Sequence, residues 1–98
     1  MKISEIEFAA IKSYNCFGKN LRENRNCQAR RAREAVISML YMLGCKIKDI
    51  CYWYSIPNTS IMNSIVKDFS KRVNSTKCDN DTISFLKEVK ELINGNKI

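Results

Sequence analysis

Apolar residues along this chain recur at helical spacing in five separate runs, and none of these runs alternates with the period of a strand. The first run sets Ile6, Ala9, Ala10 and Tyr14 on one stripe, and the helix that carries it is expected to end near Gly18. Ser4 followed three residues later by Glu7 has the spacing of a capping box, in which each side chain satisfies a backbone donor left open at a helix start. Residues 19–27 are polar, asparagine-rich and basic, and read as a loop that Leu21 anchors to the core. The second run, Ala32, Val36, Met39, Leu40 and Leu43, predicts a helix from about Ala29 to Leu43. Gly44 is placed to end it in the left-handed conformation that a missing Cβ permits.

A third run over Lys46 to Tyr54 presents Ile47, Ile50, Cys51 and Tyr54 on one face. The segment Ser55-Ile56-Pro57-Asn58 then breaks the chain, since proline restricts the residue before it and has no backbone donor. Asn58 or Thr59 can cap the next helix, whose expected buried row is Ile61, Ile65, Phe69 and Val73. Two helices separated by a brief turn, the second opening on polar residues, form a helix-turn-helix pattern over Ile47 to Val73. Asn74 to Asp81 reads as a polar linker. The last helix, Asp81 to Asn94, offers Phe85, Leu86, Val89, Leu92 and Ile93, with Gly95 after its end. The expected architecture is all-α, about five helices around one core, in a single domain over residues 1–98.

Charge adds what periodicity lacks. The formal net charge is +7, which favours polyanionic partners. Six of the basic residues (Lys19, Arg22, Arg25, Arg30, Arg31 and Arg33) fall in one fifteen-residue stretch whose only acid is Glu23. Residues 46–72 hold Lys46, Lys48, Lys67, Lys71 and Arg72 against Asp49 and Asp68, whereas residues 77–98 are balanced. Arg30, Arg31 and Arg33 also lie in the first turns of the long helix, where the macrodipole disfavours positive charge, a hint of an external anion.

These patterns select candidate residues. Asn58, Thr59, Ser60 and Asn63 stand where a recognition helix enters the major groove, and asparagine can bond adenine bidentately. Arg25 is the candidate for a minor-groove contact from the loop. Lys19, Arg22, Arg30, Arg31, Arg33, Lys46, Lys48 and Lys67 are candidates for phosphates. Asn-Thr-Ser after a proline is also ordinary capping chemistry, and one residue can do both. Tyr52, Trp53 and Tyr54 are expected to pack between helices, and Met39, Met42 and Met62 to fill the core.

Other classes find little purchase. The chain has no histidine for proton transfer near neutrality and no phosphate-cradling GxxxxGK[ST] loop, so no catalysis is expected. Five cysteines without CxxC spacing suggest structural thiols in a reducing cytosol, with no metal and no cofactor. No apolar run reaches 18 residues and the opening MKISEIEF is no signal peptide, which points to a cytoplasmic protein without a membrane partner.

The order helix, basic loop, long helix, helix-turn-helix, final helix resembles the C-terminal DNA-binding domain of the bacterial replication initiator DnaA, a Trp-repressor-like fold. The resemblance covers about residues 6–93 with sparse identities. Ala32-Arg33-Glu34 is similar to the ARQ opening of that family's long helix. The stretch from Lys46 to Tyr54 resembles its SLxEIGxxF segment, with Ile50 at the isoleucine and Tyr54 at the aromatic. Asn24-Arg25-Asn26 stands at the basic loop, with Arg25 where the family's minor-groove arginine sits. Thr59, Ser60 and Ile61 match the end of the signature GGRDHTTV, but its arginine and aspartate are missing, Asn58 replaces its histidine, and the segment is one residue shorter. The family's ATPase module has no counterpart.

The resemblance implies a small protein that reads double-stranded DNA in transcription or replication control, at a site other than the family's usual one. The Lys-, Asn- and Ile-rich composition points to a phage or mobile-element source. The alternative is an interaction module that uses the same fold to dock an acidic host replication or transcription factor. RNA binding is the weaker third reading, because no RNA-module signature is present.

Overall fold

Six consecutive buried residues, Ala35 to Leu40, mark one helix as the centre of this molecule. In the computed structural model, which describes residues 3–17, 21–22, 27–75 and 78–95, that helix is α2 (Cys27–Met42). It is joined by α1 (Ile3–Ser13), α3 (Ile47–Trp53), α4 (Thr59–Val73) and α5 (Asn80–Gly95), and the described residues contain no strand. Among the described residues the fold is all-α with five helices, as the hydrophobic spacing predicts. No described helix is long and apolar enough to cross a membrane.

Both α1 and α4 pack on α2, α3 lies against α2 and α4, and α5 packs on α1. Alanines line the meeting of the first two: Ala9 and Ala10 on α1 and Ala29, Ala32 and Ala35 on α2 are all buried. Small side chains on both surfaces let two helix axes approach closely. Ser38 is fully buried in the same helix and donates its hydroxyl to the Glu34 carbonyl at 2.9 Å, so no polar atom is stranded there. The α1–α5 pair is antiparallel: Lys12 meets Glu88 at 3.1 Å, and Tyr14 meets Thr82 at 2.7 Å.

Three helices stop in the same way. Beyond α1, α2 and α3 a residue with positive φ follows (Asn15 at 56°, Gly44 at 94°, Ser55 at 54°). The next amide then donates five residues back, Cys16 to Ile11, Cys45 to Leu40 and Ile56 to Cys51. This is the Schellman ending, which satisfies carbonyls the helix leaves open. It explains why α1 stops at Ser13 and not near Gly18, which lies outside the described residues. Asparagine tolerates the left-handed region well enough to do the work expected of the glycine.

Other expectations need correction. Ser4 is already inside α1, so it does not form a capping box, and the Glu7 carboxylate turns to Tyr54 and Arg22. On α4 the fully buried positions are Met62 and Phe69, with Ile65 and Val73 partly covered, while Ile61 points outward. The register is set by Met62, one residue beyond the predicted row. At the end of α2, Met42 and Leu43 are exposed, because the core contacts of that helix finish at Leu40. α5 starts at Asn80, and its cap is Asp79, whose carboxylate accepts from the Thr82 amide at 3.3 Å and hydroxyl at 2.9 Å.

Asp79 also binds Arg31 of α2, and the Arg31 guanidinium lies 5.5 Å from the centre of the Tyr14 ring. Partial burial works to raise the Asp79 pKa, but the Thr82 hydrogen bonds and the Arg31 charge prevail and hold it below the usual value. The ionised form therefore stabilises the fold above the ordinary carboxylate pKa, and this contribution is lost as the pH falls through the lower folded value. Asp79→Ala is expected to lower stability by about 2 kcal/mol at neutral pH, from the lost cap and an unpaired Arg31. In urea melts the deficit should shrink below about pH 4 as the native protein protonates the same group. A deficit unchanged across that range would show that the charge of Asp79 is immaterial.

The helix endings make a second prediction. A Cβ on Gly44 meets nothing within 4 Å, so Gly44→Ala tests backbone strain alone and should cost about 1 kcal/mol. Ser55→Gly relieves the same strain and should gain about 0.5 kcal/mol in chemical denaturation, with opposite signs for the two variants as the criterion.

Candidate functional site

The helix-turn-helix expected from Ile47 to Val73 corresponds to α3, a five-residue turn and α4. Ile50 is fully buried and Tyr54 is 5% exposed, which anchors α3 to the core. Behind them the Cys51 thiol reaches the Met62 sulfur at 3.8 Å, joining the two helices. The turn leaves Asn58, Thr59, Ser60 and Asn63 exposed at the tip of α4, together on its first turns. Lys67 and Lys71 continue along the same helix into solvent, and Lys46 and Lys48 are exposed on the approach to and first turn of α3.

Asn58 already has a task. Its side-chain oxygen accepts the Ile61 amide at 3.0 Å, capping α4. That bond takes one of the two lone pairs on the oxygen and fixes the side chain against the helix end, whereas Asn63, one turn further on, is exposed for a bidentate contact with adenine. Ile61, at 42% exposure, sits between Ser60 and Asn63 and offers an apolar contact surface.

The arginines divide into different groups. Arg31 is held by Asp79, lies 4.0 Å from Asp81 and stacks on Tyr14. Arg33 donates to the Leu21 carbonyl at 2.9 Å, tying the loop before α2 to that helix. Arg30 is well exposed, with Glu34 at 3.7 Å. The positive charge in the first turns of α2 thus has internal partners, and no external anion is required to balance it. Lys19 and Arg25 lie outside the described residues.

Arg22 belongs to a clasp that links three parts of the chain. The Glu7 carboxylate accepts from the Tyr54 hydroxyl at 2.8 Å and from two Arg22 nitrogens at 3.4 Å, while the guanidinium lies 5.5 Å from the Tyr54 ring centre. Burial, then the Glu7 hydrogen bond and charge, push the Tyr54 phenol well above its usual pKa, so it stays a donor. Partial burial opposes the Arg22 charge, and Glu7 more than offsets it. One end of the basic stretch is thereby fastened four residues before the α4 cap.

Tyr52 is the residue whose exposure the aromatic cluster concealed. It is 84% exposed, while Trp53 is partly covered and Tyr54 buried. Its position relative to Ile50 held the signal: two residues along a helix is a turn of about 200°, the opposite face. Among the thiols, Cys16 is buried and Cys27 exposed, so packing does not account for all five.

No protein-family model, no curated protein and no solved structure matches this chain. The site is therefore read from its own geometry. Asn58→Ala should destabilise the domain by about 1 kcal/mol through loss of the α4 cap, whereas Asn58→Asp, an equally good cap, should leave thermal stability within a few tenths. Equal losses in both variants would mean that the cap is not what Asn58 contributes.

Proposed function

We propose that the chain is a small double-stranded DNA-binding protein in which α4 lies in the major groove and the lysines of α3 and α4 flank it on phosphates. The observation that carries this reading is the distribution of unbalanced charge. The ion pairs among the described residues join Lys12 to Glu88, Arg22 to Glu7, Arg30 to Glu34 and Arg31 to Asp79 and Asp81. None of them involves α3 or α4, so Lys46, Lys48, Lys67 and Lys71 remain exposed beside a polar helix tip. Phosphate contact supplies affinity there, and Ser60, Ile61 and Asn63 are the groups available for base edges and thymine methyls. A role in transcription or replication control, and kinship with the DnaA-type domain, are part of the same proposal.

Duplex binding followed by fluorescence anisotropy tests it. If the four exposed lysines each neutralise a phosphate, the slope of log affinity against log salt should be about −4. Lys48→Ala and Lys67→Ala should each reduce that slope by about 1 without changing the melting temperature. No duplex binding at about 50 mM salt, or a slope near zero, would refute the assignment.

A second reading has one observation in its favour. Tyr52 and Ile61 expose apolar surface beside lysines, a combination that also suits an acidic protein partner, such as a host replication or transcription factor. Capture from a nuclease-treated lysate separates the two: a protein retained without nucleic acid supports the second reading.

A further inference from the structure

The α1–α5 pair encloses a groove on the surface, with a volume of about 370 Å³. Phe8, Ala9 and Leu92 form its apolar part, and Glu5, Lys12 and Glu88 edge it. Phe8 is 59% exposed beside it, a large ring that the fold itself does not cover. We infer that this groove takes a second copy of the chain, in a two-fold pairing of α1 against α1.

Charge decides the occupant. The chain carries +7 overall, which sets copies against each other wherever the excess is exposed. With Glu7 and Asp81 set aside, since Arg22 and Arg31 hold them, α1 carries Glu5 against Lys12, and α5 carries Glu88 and Glu91 against Lys87 and Lys90. This is the flank without a positive excess, where another copy can approach and a polyanion gains nothing.

The order of side chains along α1 is self-complementary. Turned antiparallel against itself with Phe8 opposite Ala9, the helix brings Glu5 opposite Lys12 at both ends of the contact. A large ring then faces a small residue on each side of the two-fold axis, and an acid faces a base. That is the isologous pattern, one patch complementary to itself. Lys12 and Glu88, already 3.1 Å apart, keep both signs at the edge of the groove. α3 and α4 pack on α2 and not on this groove, so the pairing leaves both α4 tips uncovered.

Analytical ultracentrifugation of the whole chain, from low micromolar to about 0.2 mM, should show a monomer–dimer equilibrium. Phe8→Glu should weaken association at least about tenfold, with circular dichroism and melting temperature retained because the ring lies outside the core. Glu5→Lys and Lys12→Glu should each weaken association, and the double exchange should restore it, since swapped ends still meet across a two-fold axis. A chain that sediments as a monomer throughout, or a dimer indifferent to Phe8→Glu, overturns the proposal. So does a double exchange that fails to rescue. DNA binding is scored separately on the same samples, so the two readings stand or fall independently.

Discussion

Asp79 stands where three helices meet, and the arrangement of the others depends on it. Its carboxylate caps α5, binds Arg31 of α2, and fixes the Thr82 hydroxyl that pairs with the buried phenol of Tyr14 after α1. Each of these groups would be costly to bury alone. Joined, they satisfy one another at the end of the molecule where α1 and α5 begin their antiparallel run. Tyr14 is fully buried and sits 6.2 Å from the Phe85 ring, so the polar network closes directly onto the apolar core. Because α5 contacts the rest chiefly through α1, this tie to Arg31 connects it to the central helix as well.

The same tie redirects the reading of charge. Counted along the sequence, the basic stretch from Lys19 to Arg33, which runs into α2, is the most cationic part of the chain. In three dimensions the arginines among its described residues are occupied: Arg31 with Asp79 and Asp81, Arg22 with Glu7, Arg30 with Glu34, and Arg33 with a backbone carbonyl. The positive excess that remains lies on lysines further along, in elements that were less charged on paper. Glu7 of α1, Asp79 before α5, and Asp81 and Glu88 of α5 supply the acidic partners, to Arg22, Arg31 and Lys12. A net charge therefore says little about a binding face until the internal pairs are set aside.

Much of the architecture is legible in the amino-acid sequence. Five helices, the break at Pro57, the end at Gly44 and the anchor at Leu21 all follow from periodicity and from residues with restricted or permissive backbones. What could not be read depended on partners distant in sequence. Glu7 matched a capping box locally and instead meets Tyr54, forty-seven residues away. Asn15 and Ser55 end helices although neither is glycine, since tertiary packing outweighs the cost of a left-handed backbone. Ile61 was expected inside and lies outside because six apolar residues in α4 (Ile61, Met62, Ile65, Val66, Phe69 and Val73) allow two neighbouring stripes, and packing on α2 favours the one through Met62. For the candidate site, exposure of the α4 tip and a cap at Asn58 or Thr59 were legible, and so was the outward face of Tyr52 from its spacing to Ile50, while the choice of Asn58 over Thr59 needed the fold.

Affinity and discrimination would rest on different chemistry in such a site. Lysine is a compact, strongly hydrated charge without the fork that arginine offers to guanine or phosphate, so it attracts a polyanion with little regard for sequence. The neutral groups on the first turns of α4 carry no charge to screen, and any preference they impose would persist as salt weakens binding. The clasp of Glu7, Tyr54 and Arg22 bears on this division. It fixes the residue that ends α3 against α1, so the turn that presents α4 is held from both sides. A neutral reading surface works only when its backbone is rigidly placed, because hydrogen bonds to base edges are lost within a fraction of an ångström. In this fold that rigidity comes from a carboxylate outside the helix-turn-helix segment, Glu7 of α1, which holds the phenol at the end of α3.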